Sequence, residues 1–465
     1  MTMASCFSST CLPFLFLLNF FFSLAFSSPT SNTVSISLFN PITFPDPFQK
    51  LTHLASTSVA RAHHIKNPKD APISSTPLFP FSGAYSISLK FGTPPQSIPL
   101  VMDTGSSFSW FPCTKRYICK NCSSSTGISS FIPRQSSSVR ILGCLNPKCS
   151  WIHKSFDPKS GCKDCGSLKS NCTQICPPYL MLYGLGSTGG IAMLETLSLP
   201  QRIVPNFVVG CSLFSSNQPA GVAGFGRGVS SMPNQLGLKK FSYCLVSHKF
   251  DNTPTNSVLI MDGESASGKK TPRFSYTPLL KNPISSKNVA LGDYYYVGLR
   301  KISVGGKKVK LPQEFLAPDS NGNGGTIVDS GSTFTYMNPA AFETVTDAFS
   351  EEVRDYKRAK NLENLTGLRP CFDVTGHEAI KLPELKLHFK GGAEMGLPLE
   401  NYFFVVKDDK KLVVCLTMVT DNTLLGPELV SGPSIILGNF LMQNFHIEFD
   451  LSNGRFGFVQ QSCSG

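Results

Sequence analysis

The sequence predicts an all-β protein, mainly strands with short helices, built as two related lobes. Its 465 residues are too many for a single hydrophobic core. Short alternating apolar segments are separated by turns rich in Gly, Pro, Ser and Asn, which is typical of strands. One loop type, in which an apolar strand ends at Asp followed by a hydroxyl residue, Gly and Ser, occurs at Asp103 and again at Asp329. Each loop is followed by an apolar-apolar-Gly segment, and this repeated order indicates two lobes on one plan.

The first 75 residues differ from the rest in composition. An apolar run at residues 12–26 ends at small residues and predicts a signal peptide over residues 1–27. Residues 28–75 are rich in Ser, Pro and Thr, contain no cysteine and carry one helical pattern at 47–64. We interpret them as a removable pro-segment, with a disordered linker as the alternative. The remaining predicted domains are an N-terminal lobe at 76–250, its cysteine-rich insert at 113–176 and a C-terminal lobe at 251–465.

Cysteine content and charge indicate the cellular compartment of the protein and limit the classes of partner that it binds. The chain has 16 cysteines and a formal net charge of +12. Many cysteines behind a signal peptide indicate disulfides and an oxidising compartment. We therefore expect secretion to the extracellular space, apoplast or cell wall, with the vacuole as the alternative. Lys and Arg are scattered, which argues against nucleic-acid binding. The apolar run near the start is short for a membrane span and no later segment qualifies, so no membrane anchor is expected.

The cysteines of the insert could either form disulfides or bind a metal ion. It holds nine cysteines, and two pairs, at Cys119 and at Cys162, have the Cys-x-x-Cys spacing of zinc ligands. In a secreted chain, disulfides that hold a loop-rich insert are the favoured interpretation, and no metal is expected. Asn-x-Ser/Thr sequons predict glycosylation at Asn121, Asn171 and Asn364.

The two Asp loops are the candidate chemical site. In each, a buried strand stops by turning a carboxylate out of the core, where Gly permits a tight turn and hydroxyls can hydrogen-bond the carboxylate. Asp-Thr-Gly is also ordinary turn chemistry, so the repeat carries more weight than either loop. Residues 184–189 match G-x-G-x-x-G, but a strand pattern follows where a dinucleotide site needs a helix. We interpret this stretch as the tip of a β-hairpin after Tyr183.

Taken together, these motifs resemble those of the pepsin-like aspartic proteases, and within them the plant nepenthesin-like group. The resemblance covers residues 85–463 and implies a bilobal pepsin-like acid protease fold with an active-site cleft between the lobes. The cysteine-rich insert before the tyrosine hairpin points to the nepenthesin-like group. The motifs are Asp103-Thr104-Gly105-Ser106, Tyr183-Gly184-x-Gly186-Ser187, Asp329-Ser330-Gly331-Ser332 and the two apolar-apolar-Gly segments.

The resemblance implies a role for each matching residue. Asp103 and Asp329 correspond to the catalytic dyad. Tyr183 and Gly184 correspond to the flap, a hairpin that closes over substrate, and Trp110 to the tryptophan that supports it. Leu185 stands where group members commonly have Asp. The residues that correspond to supports of the dyad are Thr104, Gly105, Ser106, Ser330, Gly331 and Ser332. The implied disulfides are Cys371–Cys415 and Cys211–Cys463.

The expected function follows from two carboxyls in contact. Like charges so close do not both ionise easily, so one carboxylate activates water while the other holds a proton for the leaving nitrogen. We expect an aspartic endopeptidase, made as a zymogen and active at acid pH without cofactor, that acts as a monomer on protein or peptide substrates. The alternative is a catalytically inactive binding protein similar to plant xylanase inhibitors. The signature motifs of serine, metallo- and papain-type hydrolases are absent from the sequence.

Overall fold

The structure is a computed structural model of the chain. It describes residues 34–39, 46–66, 83–122, 128–153, 157–162, 172–183, 186–218, 220–247, 257–262, 273–283, 289–408, 411–421 and 431–463. The predicted signal peptide lies outside the described residues. Strands outnumber helices, and the all-β class is confirmed. The predicted boundaries of the two lobes remain predictions.

The strands of the first part of the chain are β1 (Val34–Phe39), β2 (Ser86–Phe91), β3 (Gln96–Asp103), β4 (Trp110–Pro112), β5 (Ile118–Lys120), β6 (Arg140–Ile141), β7 (Tyr179–Tyr183), β8 (Gly186–Leu199), β9 (Arg202–Ser216), β10 (Gly221–Gly224), β11 (Lys240–Cys244), β12 (Ser257–Met261) and β13 (Ser275–Pro278). Those of the second part are β14 (Tyr295–Val297), β15 (Leu299–Val304), β16 (Lys307–Lys308), β17 (Thr326–Val328), β18 (Thr335–Met337), β19 (Lys357–Arg358), β20 (Cys371–Asp373), β21 (Leu385–Phe389), β22 (Glu394–Leu397), β23 (Phe403–Asp408), β24 (Lys411–Leu416), β25 (Met418–Val419), β26 (Ile435–Leu437), β27 (Phe445–Asp450) and β28 (Arg455–Gln460).

These strands form one large sheet and three small ones. The large sheet has 15 strands, ordered β13-β28-β27-β11-β12-β1-β2-β3-β10-β4-β9-β8-β6, with β5 on β9 and β7 on β8. The small sheets are ordered β14-β17-β26-β18-β25, β16-β15-β21-β22 and β19-β20-β24-β23. The large sheet contains strands from both halves of the sequence, because β27 near the C-terminus pairs with β11.

The helices are few and mostly short. They are α1 (Pro47–Lys66), α2 (Met232–Leu236), α3 (Gln313–Leu316), α4 (Pro339–Glu352) and α5 (Lys360–Thr366), with 3-10 helices at Pro133–Gln135, Pro147–Trp151, Pro158–Gly161, Val289–Asp293 and Leu399–Asn401. Within the described residues, no helix combines the length and the apolar character that a membrane span requires.

The repeated sequence order has a structural basis. Ile98, Leu100 and Met102 alternate along β3 and are buried, so this strand packs one face into the core and ends at Asp103. β10, with the first apolar-apolar-Gly segment, pairs in parallel with β3, and β26, with the second, pairs in parallel with β17. Each Asp loop therefore leaves the same kind of parallel strand pair.

Residues 34–39 and 46–66, the described parts of the segment interpreted as a pro-segment, pack against the rest of the chain. The predicted helix at 47–64 is present as α1, which continues to Lys66. Leu51, Leu54 and Ile65 of α1 are buried in a cluster with Phe334 and Tyr336. The strand β1, which the sequence analysis did not predict, lies between β12 and β2.

Two other segments differ from their sequence interpretation. Helical spacing of apolar residues over 338–358 predicts one helix, but α4 stops at Glu352 and Lys357–Arg358 pairs with β20 instead. The polar, Lys-containing composition of residues 247–275 predicts a crossing between the lobes. It contains β12, which pairs with β1 and β11, while 248–256 and 263–272 lie outside the described residues.

Disulfides hold the insert, interior strands of the large sheet and one of the small sheets. The expected Cys371–Cys415 bridge is present, since the two residues face each other directly between β20 and β24. Within the insert, the Cys119–Cys122 and Cys144–Cys162 bridges exclude zinc ligation by those thiolates. The described bridges are Cys113–Cys211, Cys119–Cys122, Cys144–Cys162, Cys149–Cys176, Cys244–Cys463 and Cys371–Cys415.

The expected Cys211–Cys463 bridge is wrong. Cys211 lies on β9, which pairs in parallel with β4, and this register brings it to Cys113 just beyond the end of β4. Cys463 follows β28 and bonds to Cys244, which ends β11 opposite His446 of β27. The bridge still ties the C-terminus back to the first half of the chain, but through a different strand.

Candidate active site

The two Asp loops meet where β3 and β17 end. The Thr104 amide donates a hydrogen bond to the Ser330 hydroxyl at 3.1 Å, and the Ser330 amide donates to the Thr104 hydroxyl at 2.9 Å. Both hydroxyls donate in turn to backbone carbonyls of the opposite loop's strand. Because all four groups are buried and paired, this reciprocal contact fixes the two loops against each other.

Each carboxylate is held by its own loop. It accepts a hydrogen bond from the amide two residues further on and from the hydroxyl three residues further on, and such bonds to a charged acceptor are strong. The four contacts are Gly105 N to Asp103 Oδ1 (2.9 Å), Ser106 Oγ to Asp103 Oδ2 (2.6 Å), Gly331 N to Asp329 Oδ1 (3.0 Å) and Ser332 Oγ to Asp329 Oδ2 (2.6 Å). The supporting residues inferred from the sequence thus all contact the dyad or the opposite loop.

The glycines of the two loops allow the carboxylates to approach each other. A Cβ on Gly105 would lie 2.5 Å from Asp329 Oδ1, and a Cβ on Gly331 would lie 2.4 Å from Asp103 Oδ1. Both distances are shorter than a side chain tolerates. Each carboxylate therefore packs on the bare backbone of the other loop, and the two acids share one small, buried space.

The two acids differ in the direction of their pKa shifts. Burial raises the pKa of Asp103, and the neighbouring Asp329 adds to the effect, against the Arg61 guanidinium. Burial also opposes ionisation of Asp329, but Arg61 and the Ser332 hydroxyl outweigh it and hold the pKa of that carboxyl below its usual value. Because the two acids interact, they titrate as a pair and not as two independent groups.

The flap residues lie beside the dyad. Tyr183 ends β7, and its hydroxyl accepts a hydrogen bond from Trp110 Nε1 at 2.5 Å, with the two ring centroids 6.2 Å apart. Burial raises the pKa of Tyr183, so the phenol is neutral. β7 and β8 form the expected hairpin, in which Tyr183 pairs with Gly186. Gly184 and Leu185, at its turn, lie outside the described residues.

Arg61 of α1 hydrogen-bonds both acids of the dyad. The sequence patterns did not identify this residue. The Arg61 guanidinium donates to both oxygens of Asp103, at 2.8 and 2.9 Å, and through Nε to Asp329 at 3.1 Å. Its side chain is 11% exposed. The only sequence signal was a helical pattern containing a basic residue, because 42 and 268 residues separate Arg61 from the two acids.

A histidine of α1 reaches the flap. The His64 ring lies 6.0 Å, centroid to centroid, from Tyr183. Burial, reinforced by the Arg61 charge, lowers the pKa of His64 to about 3. His64 is therefore neutral in this arrangement across the range in which a free histidine titrates.

The predicted glycosylation sites have different positions. Asn121 and Asn364 are exposed on the surface, and Asn171 lies outside the described residues. Their modification remains a prediction. Cys149, His153 and Cys176 bring their side-chain ligand atoms close together, but both sulfurs are joined in a disulfide and are not available as thiolate ligands.

Solved structures share this fold. Conglutin gamma from lupine seeds superposes with a TM-score of 0.62 at 18% identity, covering 93% of this chain and 98% of that one. Basic 7S globulin from soybean gives a TM-score of 0.59 at 17% identity with the same coverage. At these identities the likeness concerns the fold alone.

Family models and curated relatives cover most of the chain. The xylanase inhibitor N-terminal model matches residues 85–261, and the xylanase inhibitor C-terminal model matches residues 294–460. A probable aspartyl protease of Arabidopsis thaliana is 33% identical over 426 residues, covering 82% of each chain. Aspartic proteinase nepenthesin-2 of Nepenthes gracilis is 32% identical over 399 residues, covering 83% of this chain and 80% of its own. With both halves matched and relatives at this identity, the chain belongs to the plant group of pepsin-like aspartic proteases.

Proposed function

We propose that the protein is an aspartic endopeptidase that hydrolyses peptide bonds at acid pH. The observation that carries the proposal is the pair of buried carboxylates, each packed on the other loop's glycine and each held by an amide and a hydroxyl. A site kept only for rigidity would not need two acids in one space, because burying like charges together is costly.

The proposed reaction uses both acids on one water molecule. The ionised carboxylate takes a proton from water as the oxygen attacks the peptide carbonyl, and the protonated carboxyl stabilises the oxygen of the tetrahedral intermediate. A proton then passes to the leaving nitrogen, and the C–N bond breaks. The close approach of the two carboxylates supports such a division of roles, because like charges so close do not both ionise easily. The substrate would lie extended between the lobes, under the Tyr183 hairpin.

We propose further that the protein is made as an inactive precursor. Arg61 of α1 forms an ion pair with each acid, and both acids are buried in this arrangement, so substrate does not reach the dyad while α1 is docked. Residues 28–75 would then act as the pro-segment. Secretion is part of the same proposal, and the described disulfides support an oxidising compartment.

Binding without cleavage is the second candidate. It is favoured by the description of both matching family models as xylanase inhibitor domains. Against it stands the complete set of dyad contacts, which a binding protein has no need to retain. A protein of this kind would bind its target equally well with or without the two acids.

The experiment that tests the proposal replaces each acid singly. Asp103→Asn and Asp329→Asn preserve the shape of the loops but remove the base or the acid, and we expect each to lower cleavage of a denatured protein at acid pH by more than about a hundredfold. Asp347→Asn, on the exposed face of α4, is the matched control and should cleave normally. Pepstatin should inhibit the wild type. Undiminished cleavage in either dyad variant, or no cleavage by the correctly processed wild type, would refute the proposal.

A further inference from the structure

A second acidic group lies on the same sheet as Asp329. Asp421 follows β25, and β18 and β26 separate β25 from β17, the strand that leads to Asp329. β25 runs antiparallel to β17, so Asp421 and Asp329 lie towards opposite ends of this sheet. Three strand spacings across the sheet and about four residues along it separate them by about 20 Å, which an extended peptide spans in about six residues. The Tyr336 hydroxyl, on β18, donates a hydrogen bond to Asp421 Oδ2 at 2.9 Å and fixes the carboxylate.

Two basic side chains of α1 occupy this carboxylate. His63 Nε2 lies 2.7 Å from Asp421 Oδ1, and Lys66 Nζ lies 3.9 Å from Oδ2. Lys66 also donates to the Tyr336 hydroxyl at 2.8 Å, and its ammonium lies 4.9 Å from the centre of the tyrosine ring. Among the described residues, the basic side chains within 4.0 Å of Asp421 are these two, and both belong to the segment that blocks the dyad.

The contacts with His63 and Lys66 favour the ionised form of the Asp421 carboxyl. Burial alone would raise the pKa of Asp421, but the contacts with His63 and Lys66 outweigh burial and hold it below its usual value. A buried carboxylate that loses its cation is strongly destabilised unless water or another cation replaces it. When α1 leaves, both basic side chains leave with it, while Asp421 and Tyr336 remain in place.

We propose that Asp421 and Tyr336 form a substrate subsite for a basic side chain, and that His63 and Lys66 fill it in the precursor. The carboxylate would accept hydrogen bonds from a lysine or arginine of the substrate, and the tyrosine ring would contact the cation. The preferred substrates are therefore peptides with Lys or Arg within about six residues of the scissile bond. This inference rests on the proposed endopeptidase function.

The first test compares peptides that differ in one residue. The full chain is expressed, freed of its pro-segment, and given paired peptides with Lys or Gln at each position around a fixed cleavage site. At one position, we expect kcat/KM to be about ten- to a hundredfold higher for Lys, which is the effect of one hydrogen-bonded ion pair. Asp421→Asn should bring that ratio close to one, and the control Asp347→Asn should not change it. A wild-type ratio of one at every position, or a ratio unchanged by Asp421→Asn, overturns the inference.

A second measurement does not need the variant to fold. In the wild type, the preference for Lys over Gln should decline as the pH falls below the ordinary carboxyl pKa of about 3.9, because the protonated acid no longer attracts a cation. A preference that persists unchanged down to about pH 2 would overturn the inference, because a free carboxyl is largely protonated and neutral at that pH.

A third measurement separates this inference from the proposed activity. A full-chain Asp103→Asn variant carries a specific protease site within residues 67–82, is cut there, and is separated from its pro-segment in acid. Binding of the fluorescent Lys and Gln peptides is then measured directly. If the wild type cleaves nothing, the endopeptidase proposal fails, but tighter binding of the Lys peptide still supports the subsite, and equal binding overturns it.

Discussion

Arg61 carries more of the contact between α1 and the dyad than any other side chain of that helix. Its guanidinium donates to both acids, and hydrogen bonds to charged partners contribute about 1.5–3 kcal/mol each. We expect Arg61→Gln to convert to the mature form at least about tenfold faster at mildly acid pH. Conversion is followed by gel electrophoresis, with the exposed Arg354→Gln as the control. An unchanged conversion rate would show that Arg61 does not hold the precursor closed.

His64 gives the docked helix a pH dependence of known sign. Undocked, the imidazole has a pKa near 6.5, and docked it has a pKa of about 3. Docking of α1 therefore favours the neutral imidazole. The contribution of His64 to the stability of the docked helix is complete above about pH 6.5. It falls as the pH decreases towards 3, by at most about 1.4 kcal/mol per pH unit. In His64→Gln, the conversion rate should depend less steeply on pH. The slope of its logarithm against pH should fall by up to one, which corresponds to one proton. The exposed His377→Gln should keep the wild-type slope, and an equal slope in both variants would contradict the assignment.

At the scale of elements, the Asp loops are the part of the site that the sequence predicts best. Their chemistry is local, since an apolar strand, a turn and two donors lie within a few residues of Asp103. Arg61 escaped prediction because nothing near it in sequence signals its partners. The strand β1 escaped because its short apolar alternation forms a strand only by pairing with β12 and β2.

The loop glycines offer a sharp test at this scale. Gly105→Ala would place a Cβ against Asp329 Oδ1, so we expect the dyad to separate and kcat/KM to fall by more than about a hundredfold. Gly143→Ala is the matched control, because a Cβ there meets nothing within 4 Å and its φ is negative. Near-normal catalysis by Gly105→Ala would show that the acids need not approach so closely.

At the scale of the whole molecule, the disulfide that closes the chain depends on sheet order. The sequence leaves several partners open for Cys463, and the choice of Cys244 follows only once β11 is known to pair with β27. No local pattern encodes that long-range pairing, which is why the bridge expected from resemblance was wrong while Cys371–Cys415, on adjacent strands, was right.

The corrected bridge predicts where a thiol appears when it is broken. Cys463→Ser should leave a single new reactive thiol at Cys244, identified by alkylation and peptide mapping, and should lower the free energy of unfolding by about 2–5 kcal/mol. Cys371→Ser provides a comparison, with its free thiol at Cys415. Alkylation at Cys211 in the Cys463→Ser protein would instead restore the original expectation.

The position of β1 affects the kinetic stability of the processed protein. It pairs with β12 on one side and β2 on the other, inside the large sheet rather than at its margin. Removal of residues 28–75 would take out an interior strand and leave two unpaired edges about 10 Å apart. The processed protein would no longer contain all of the chain that shaped it, so unfolding would be a one-way event. Its lifetime would then be set by how slowly it opens and not by an equilibrium between folded and unfolded forms.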